Sequence, residues 1–219
     1  MTLTNFIELL EDVSETSDVY KYCKTIADHV KKVAHPSVRN VGTIGGNLML
    51  KHANQDFPSD LFLLLETADA TLEIKSSDNS KEVVSPLQFL GLNMNKKFIL
   101  KINLPQTTDL LFTYKTMQRA INTHAYVNGG LRLKLDGNFN VLEKPTLVFG
   151  GVSAQFVHAV NTEGFLVGRN LKDLDTLKAA LESLKAEAVP DNNPVMASPE
   201  YRSHLVQALY YRVSLRNVL

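Results

Sequence analysis

The chain has 219 residues, 44% of them hydrophobic, with 23 basic and 23 acidic side chains. That length allows one large domain or two small ones with a well-buried core, and zero net charge argues against nucleic acid, whose phosphates attract a surplus of Lys and Arg. Apolar runs fall short of the roughly 20 residues of a membrane span, and no signal peptide is evident, so we expect a cytoplasmic protein with no membrane partner. Cys23 is the only cysteine, which argues against a disulfide framework and cysteine-ligated metal clusters.

The first half of the sequence predicts two helices, a loop and a small sheet. Apolar residues at helical spacing predict a helix over 3–12 and a second helix from Ser17 through about Ala34. A loop around "VGTIGGNLML" follows, and the apolar segment "DLFLLLETA" leads into strands at "ATLEIKS", "KEVVS" and "KKFILKINLP". A capped helical turn is predicted at "SPLQFLG", and Pro105 closes the last strand.

The second half predicts an antiparallel meander and two closing helices. Period-two alternation marks "LLFTYKTM", "AYVNGGLRLKLDG" and "NVLEKPTLVFGGVS", with a hairpin-like joint at Asp136-Gly137. Helices are predicted over 171–188 and 199–218. We therefore predict an α+β fold in two domains: residues 1–105, an antiparallel sheet with packed helices, and residues 106–219, a small β-meander with a helical bundle.

The loop in the first half contains a Gly45-Gly46 pair followed by Asn47. Adjacent glycines let backbone amides point the same way at positive φ, and such amides form a concave anion site, flanked here by Thr43 and Asn47. That chemistry suits a diphosphate, although a tight turn without a ligand has the same signature. The pattern is neither a Walker A loop nor a Rossmann G-x-G-x-x-G, so the spacing alone leaves both interpretations open.

The residues around this pair resemble a known family. The stretch "VAHPSVRNVGTIGGNLML", followed by "FPSDLFLLLETADATLEI", is similar to the FAD-binding domain of the molybdenum hydroxylases, the xanthine dehydrogenase and aldehyde oxidase family. That family carries "R-N-x-(A/G)-(S/T)-(I/L)-G-G-N" and then "S-D-L" before a strand. Two later stretches, "GGVSAQFVHA" and "SPEYRSHLVQALYYRVSL", resemble a strand and the closing helix of the domain that follows the flavin-binding part. The resemblance covers nearly all of the chain in the family's order.

In this family the flavin domain relays electrons that reach it from two 2Fe-2S iron–sulfur clusters, which are fed by a molybdenum site. The resemblance therefore implies FAD as the cofactor here, and iron–sulfur and molybdopterin domains as partners within a parent protein that forms a homodimer. It also implies a set of FAD contacts in this chain: Ala34, Thr43, Gly45, Gly46, Asn47, Asp60, Ile99 and Lys115. It implies no metal ligand and no catalytic residue in this chain, beyond a flavin-tuning role for Lys115.

Motif position implies that the Thr43-to-Asn47 segment holds the diphosphate and ribityl part and that Ala34 lies near the cofactor. Asp60 would accept hydrogen bonds from hydroxyls of FAD, and Ile99 would be an apolar contact. Lys115 would lie near the isoalloxazine edge, where a cation favours the anionic reduced flavin. Without the resemblance, Asp60 could instead be an N-cap for "LFLLLET" and Lys115 a solvated strand charge.

Two departures from the family pattern shape the expectation. The family's "(V/L)-V-G-N-T-x-(I/V/L)-G" loop has no counterpart before Thr2, so we expect a fragment, engineered or natural, with about half of its FAD pocket and weak flavin binding. Xanthine dehydrogenases have a charged "S-R-R-E-D-D" run after the lysine strand, whereas "MQRAINTHAYVNGG" carries only Arg119. This difference predicts an aldehyde oxidase-like parent that passes electrons to oxygen rather than NAD, with an NAD-using xanthine dehydrogenase-type parent as the alternative.

Other interpretations stay open at this stage. The chain could be a folded interaction module that no longer binds flavin, or an anion-binding protein for a different nucleotide. The serines lack a nucleophile elbow, which argues against a hydrolase, and Cys23 lies on an apolar helix stripe typical of a core. Four histidines are too scattered to predict a metal site: His35, His52, His124 and His158.

Overall fold

The computed structural model describes residues 1–117, 124–192 and 197–216. The first half of the chain forms these elements: α1 (Leu3–Thr16), a 3-10 turn (Asp18–Tyr20), α2 (Tyr22–Val30), α3 (Pro36–Arg39), α4 (Ile44–Ala53), α5 (Asp60–Thr67), β1 (Thr71–Ser76), β2 (Lys81–Val84), α6 (Pro86–Phe89) and β3 (Lys97–Asn103). The second half forms these: β4 (Leu110–Met117), β5 (Ala125–Leu133), β6 (Thr146–Gly150), β7 (Val157–His158), α7 (Val160–Leu166), α8 (Leu174–Glu187) and α9 (Pro199–Arg216).

Each half contributes one antiparallel sheet. In the first sheet β1 lies between β2 and β3, and its side chains alternate so that Leu72 and Ile74 face the core. The second sheet is a meander in the order β4-β5-β6-β7. The predicted α+β class and the antiparallel meander are therefore confirmed, while the domain boundary at Pro105 stays a prediction.

Two hydrophobic clusters form the core. The first lies beneath the first sheet and α1, α2, α4 and α5, and its fully buried members include Ile26, Leu48, Leu64 and Leu72. The second lies between the meander and α7, α8 and α9, and its fully buried members include Leu131, Phe149 and Leu184. Cys23 is buried in the first cluster, as its position on an apolar stripe predicted.

Helix α5 lies between the two halves and is buried at every one of its positions. A helix with apolar residues on every face can pack against other elements on all sides, and the residues "LFLLL" give α5 such a surface. A Cβ added at Gly130 of β5 would lie only 1.8 Å from Thr67 Oγ1, so the strand backbone contacts the end of α5 directly. The two acidic side chains of α5, Asp60 and Glu66, are also buried. A buried carboxylate needs hydrogen-bond donors or cations to replace its hydration.

Helix boundaries in the first half differ from the prediction in two places. Helix α2 ends at Val30 rather than about Ala34, because the chain leaves the helix through a turn in which Ala34 takes a φ of 53°. Ser17 precedes the 3-10 turn, but its hydroxyl makes no capping hydrogen bond. The capped turn is confirmed, since Ser85 and Gln88 form a capping box at the start of α6.

The second half contains one helix that the sequence did not predict. The segment of α7, "VNTEGFL", is rich in residues of low helix propensity, and the helix is fixed by packing rather than by its composition. The helix predicted over 171–188 begins later, at Leu174, because the carboxylate of Asp173 caps it. The helix predicted over 199–218 is described as far as Arg216, and its last predicted residues lie outside the described ranges.

The joint at Asp136-Gly137 is a longer turn than the predicted hairpin connection. The carboxylate of Asp136 accepts the amide hydrogens of Asn138 and Asn140, both at 2.8 Å. Phe139 takes a positive φ of 67°, in the left-handed region that glycine most often occupies. Side-chain hydrogen bonds therefore shape this turn in place of the glycine.

Two absences apply to the described ranges. No helix there is long and apolar enough to cross a membrane. No group of three or more His, Cys, Asp or Glu side chains there could hold a metal ion.

His158 joins α5 to the second half of the chain through two carboxylates. Its Nε2 lies 2.7 Å from Glu163 Oε1 and its Nδ1 lies 3.6 Å from Glu66 Oε1. Glu163 also accepts the Leu147 amide at 2.7 Å, and Lys144 approaches its other oxygen at 3.2 Å. The hydrogen bond to Glu163 and the nearby carboxylate of Glu66 raise the pKa of His158 to about 9, against the opposing effect of burial.

This network predicts that the fold loses stability in mildly alkaline solution. The raised pKa stabilises the folded state fully below the unfolded-state value of about 6.5, and that contribution is lost as pH rises through about 9. We expect the free energy of unfolding to fall by about 2 kcal/mol across this window in urea titrations. The variant His158→Gln should lack the dependence, whereas His204→Gln, at an exposed position of α9, should keep it. An equal slope in His158→Gln and the unaltered protein would contradict the assignment.

Candidate functional site

Six of the predicted site residues line one cavity of about 680 Å³ between the turn after α2, helices α4 and α5 and strand β4: Ala34, Thr43, Gly46, Asn47, Asp60 and Lys115. The other two, Gly45 and Ile99, line an adjoining and mostly apolar cavity of about 700 Å³. Thr43 lines both cavities, so the N-terminus of α4 lies between them. The predicted residues therefore line two cavities, which meet at the N-terminus of α4.

The Gly-Gly-Asn segment begins helix α4 and is not a loop. Thr43 is the N-cap, and its Oγ1 accepts the amide hydrogen of Gly46 at 3.0 Å. Neither Gly45 nor Gly46 has a positive φ, so the prediction of a left-handed glycine turn is wrong. The amides of a helix's first turn point the same way in any case, and the glycines keep side chains away from them. A Cβ added at Gly45 would meet no atom within 4 Å, so this helix end is open to a ligand.

Asn47 connects the start of α4 to the start of α5. Its Oδ1 accepts a hydrogen bond from the hydroxyl of Ser59 at 2.5 Å, which leaves its amide NH₂ as a donor beside the cavity. Ser59 is the N-cap of α5 and accepts the Phe62 amide at 3.0 Å. The interpretation of Asp60 as the N-cap is therefore wrong, since Asp60 is the first residue inside the helix.

Ala34 reaches the cavity through a turn that Arg39 holds in place. The guanidinium Nη1 of Arg39 donates to the carbonyls of Lys31 and Val33 at 3.0 Å and of Ala34 at 2.6 Å. These carbonyls extend beyond the end of α2 and would otherwise lack partners. The neighbouring Asn40 accepts a hydrogen bond from the Thr4 hydroxyl at 2.6 Å. Arg39 and Asn40, the Arg-Asn pair of the sequence motif, thus hold this part of the cavity wall in place.

Asp60 is a buried charge at the cavity wall, with 6% of its surface exposed. Its Oδ1 lies 3.2 Å from His29 Nε2 and 2.8 Å from Asn128 Nδ2, and its Oδ2 lies 2.8 Å from Lys115 Nζ. Burial by itself raises the pKa of this carboxyl, but the hydrogen bond of His29, the charge of Lys115 and the hydrogen bond of Asn128 together outweigh it and lower the pKa to about 2. Asp60 is therefore a permanent anion over the physiological pH range.

Lys115 is not the solvated strand charge that the alternative interpretation proposed. Its side chain is 2% exposed, and besides Asp60 its Nζ approaches the carbonyl of Lys32 at 3.3 Å. The ammonium thus lies at the cavity wall with most of its hydration removed, beside a carboxylate that balances its charge. A buried cation of this kind can contact an anionic or electron-rich ligand at short range.

Two residues of this cluster, His29 and Asn128, were missed by the sequence reasoning. His29 falls on the apolar stripe of α2 between Ile26 and Val30, and Asn128 interrupts a run of buried residues in β5. The available signal was a polar side chain at a core-facing position, which needs a partner. Of the histidines considered earlier, His124 lines the cavity.

The buried ion pair predicts a large cost when one partner is removed. Lys115→Met leaves the Asp60 carboxylate buried without its cation and should lower the free energy of unfolding by about 3 kcal/mol. The double variant with Asp60→Asn should lose clearly less than the sum of the single losses, since the two groups compensate each other. Urea denaturation of the four proteins measures this coupling.

The matched control is Lys21→Met, which breaks an exposed pair with Asp18 at 2.6 Å. We expect no measurable change for this control, because exposed pairs contribute little. Additive losses in the double variant would contradict coupling between Lys115 and Asp60.

Comparison with known proteins identifies the class of this chain. Residues 8–107 match the family model described as the FAD-binding domain in molybdopterin dehydrogenase, and residues 112–216 match the CO dehydrogenase flavoprotein C-terminal domain. Together the two family models span most of the chain and identify it as an FAD-binding domain of the molybdopterin dehydrogenase type with the domain that follows it. The chain belongs to the xanthine dehydrogenase and aldehyde oxidase family of molybdenum hydroxylases.

Curated relatives and solved structures agree with this assignment. Indole-3-acetaldehyde oxidase of Arabidopsis thaliana is 34% identical over 94% of this chain and 16% of its own length. Xanthine dehydrogenase of Blastobotrys adeninivorans is 31% identical over 85% of this chain and 14% of its own length. The chain thus spans about a sixth of the length of such relatives.

Two solved structures share the fold over most of the chain. Quinoline 2-oxidoreductase of Pseudomonas putida 86 superposes with a TM-score of 0.74 at 25% identity, over 90% of this chain and 68% of that one. A carbon monoxide dehydrogenase of Hydrogenophaga pseudoflava, which lacks the Mo-pyranopterin moiety, superposes with a TM-score of 0.78 at 18% identity, over 97% of this chain and 70% of that one.

Proposed function

We propose that this chain binds FAD at the N-terminus of α4 and serves as the electron-relay part of a molybdenum-containing, aldehyde oxidase-like oxidoreductase. The observation that carries the proposal is the cavity itself, which combines an open helix N-terminus with the buried Asp60–Lys115 pair. Helix N-termini favour phosphate groups, and a buried carboxylate favours hydroxyl donors. The cofactor named by the matching family model, FAD, carries both phosphate groups and hydroxyl groups.

The donor and acceptor groups of the cavity fit such a ligand. Oδ1 of Asp60 is fully used by His29 and Asn128, whereas Oδ2 accepts, among the described residues, from Lys115 alone and keeps one acceptor position. That position can accept a hydroxyl hydrogen. The Thr43 hydroxyl hydrogen and the NH₂ of Asn47 supply donors at the helix end, where anionic phosphate groups gain from the helix dipole.

The adjoining apolar cavity can take a flat aromatic ring. Ile99 lies there with Phe6, Leu10 and Ile102, all of which pack against the first hydrophobic cluster. Apolar walls beside a polar helix end are the usual combination in cofactor sites. We therefore assign the predicted FAD contacts to two walls: Ile99 and Gly45 on one side of α4, and Asp60, Lys115 and Ala34 on the other.

Bound FAD would supply a carrier that accepts electrons from iron–sulfur clusters and gives them up to an acceptor. The chain's own part in this is to bind and orient the cofactor. Lys115 holds a positive charge at a buried position, where it favours additional negative charge on a neighbouring ligand. Asp60 keeps that ammonium in place and limits its movement toward solvent.

The same proposal extends to the whole protein. The family resemblance supports iron–sulfur and molybdopterin domains and a homodimeric assembly, and the sequence composition supports a cytoplasmic location. The names of the relatives favour aldehyde oxidation. Metal analysis, sedimentation and cell fractionation of the whole protein test these parts. An absence of molybdenum and iron from the purified whole protein would contradict the proposed electron source.

FAD titration tests the central proposal. We expect flavin absorption bands in the purified protein, or saturable quenching of flavin fluorescence on titration. Asn47→Ala and Asp60→Asn should each weaken binding at least about tenfold, because each removes a polar group at the cavity. Asn54→Ala, at the opposite end of α4, is the matched control and should bind FAD as the unaltered protein does.

Two results would contradict FAD binding at this cavity. One is an absence of saturation at about 1 mM FAD, near the weakest binding that a titration of this kind resolves. The other is equal binding by the Asp60→Asn and Asn54→Ala variants, which would move the site elsewhere.

Oxygen is proposed as the electron acceptor because the segment after Lys115 lacks the acidic pair of NAD-using relatives. Residues 118–123 of that segment, including Arg119, lie outside the described residues, so the absence of the acidic pair is read from the sequence alone. Reoxidation of the chemically reduced, FAD-loaded protein should depend on dissolved oxygen and should not accelerate when NAD⁺ is added under anaerobic conditions. Rapid anaerobic reoxidation by NAD⁺ would favour the xanthine dehydrogenase-type alternative.

A further inference from the structure

The carboxylate of Asp60 is held from behind by two side chains that do not line the cavity. His29, from α2, has a fully buried side chain, and Asn128, from β5, is 1% exposed. Both contact Oδ1, whereas Oδ2 contacts Lys115 at the cavity wall. The two oxygens therefore have different partners: Oδ1 is anchored in the protein interior and Oδ2 is presented to the cavity.

Hydrogen-bond chemistry fixes the proton on one ring nitrogen of His29. An ionised carboxylate only accepts hydrogen bonds, so Nε2 must carry the hydrogen that lies between it and Asp60 Oδ1. Nδ1 is buried and has no hydrogen-bond partner among the described residues. Moving the proton to Nδ1 would give up the contact with Asp60 and gain nothing, so the ring is a fixed donor.

We propose that His29 is a positioning residue of the cofactor site: its Nε2–H holds Asp60 Oδ1 in the interior, so that the ionised carboxylate keeps Oδ2 toward Lys115 and the cavity. This inference rests on the proposed function, because Oδ2 is the acceptor assigned to a hydroxyl of FAD. It gives a role in ligand binding to a residue that contacts no ligand.

Among the residues that the structure describes, few charged or titratable groups surround Asp60, which makes the role of His29 testable. From α2 the carboxylate meets His29, from β4 it meets Lys115, and from β5 it meets the neutral amide of Asn128. His124 lies on the same cavity. Lys115 stays in place in every variant below, so a change in the behaviour of Asp60 reports on His29.

Two variants of His29 distinguish the effect of its hydrogen-bond donor from the effect of its ring shape. His29→Leu has a similar volume but no donor, whereas the side-chain amide of His29→Gln can reach Asp60 as a donor. We expect His29→Leu to bind FAD about tenfold more weakly at neutral pH, and to weaken further below about pH 5 as its Asp60 carboxyl takes up a proton. His29→Gln should stay within about threefold of the unaltered protein at all pH values.

The control histidine is His52, whose Nε2 lies 2.7 Å from the carbonyl of Leu92, away from both cavities. His52→Gln should bind FAD as the unaltered protein does. Circular dichroism checks that each variant is folded before titration. Unchanged affinity in His29→Leu would overturn the inference, and so would equal losses in His29→Leu and His29→Gln, because ring shape rather than the donor would then matter.

A second measurement does not depend on FAD. Carbon-13 NMR of the Asp60 carboxyl should show it titrating at higher pH in His29→Leu than in the unaltered protein, and nitrogen-15 NMR should place the hydrogen of His29 on Nε2. If the unaltered protein binds no FAD, the proposed function fails, and these spectra still decide the inference. An Asp60 titration that is identical in the two proteins, or a hydrogen on Nδ1 alone, would overturn it.

Discussion

The structure depends on one buried negative charge, that of Asp60 at the start of α5. A carboxylate without water is unstable in a folded protein unless hydrogen bonds and opposite charge replace its hydration. Here the replacement comes from both halves of the chain, with His29 from the first and Lys115 and Asn128 from the second. The charge is therefore compensated only when the two halves are packed together, so the site and the fold require each other.

The same logic applies at the other end of α5. Glu66 is nearly buried and faces His158 of the second half, and the His158 ring is shared with Glu163. The helix thus has a polar contact with the meander at each end and an apolar surface between them. Polar contacts at both ends of an apolar helix restrict its rotation and sliding, which apolar packing alone restricts only weakly.

Much of this architecture could be predicted from the sequence, because periodicity and capping are local properties. Strands β1 to β6 and helices α1 and α2 followed from alternation and apolar spacing, and the capped turn at Ser85 followed from its residue types. The helical start at Gly45 could not be predicted from propensity, since two glycines disfavour a helix. It forms because Thr43 caps it and buried Leu48 anchors it, and the second of these is a tertiary effect.

The site was predictable only in part for the same reason. Family motifs pointed to residues that line the cavity, but a motif does not show which buried side chains hydrogen-bond to them from the protein interior. His29 and Asn128 lie far from Asp60 in sequence, and only the packing of α2 and β5 on α5 brings them together. The unusual conformation of Ala34 was equally hidden, because it depends on the reach of the Arg39 side chain.

The close approach of Gly130 to Thr67 sets the distance between α5 and the sheet. Asn128 lies two residues before Gly130 on the same strand, so the height of the helix above the sheet also sets the reach of that amide to Asp60. A side chain at Gly130 would push the C-terminal end of α5, at Thr67, away from the sheet. The contact between Asn128 and Asp60 at the other end of the helix would then lengthen. Gly130 therefore influences the distance between Asn128 and Asp60, although it lies outside the site itself.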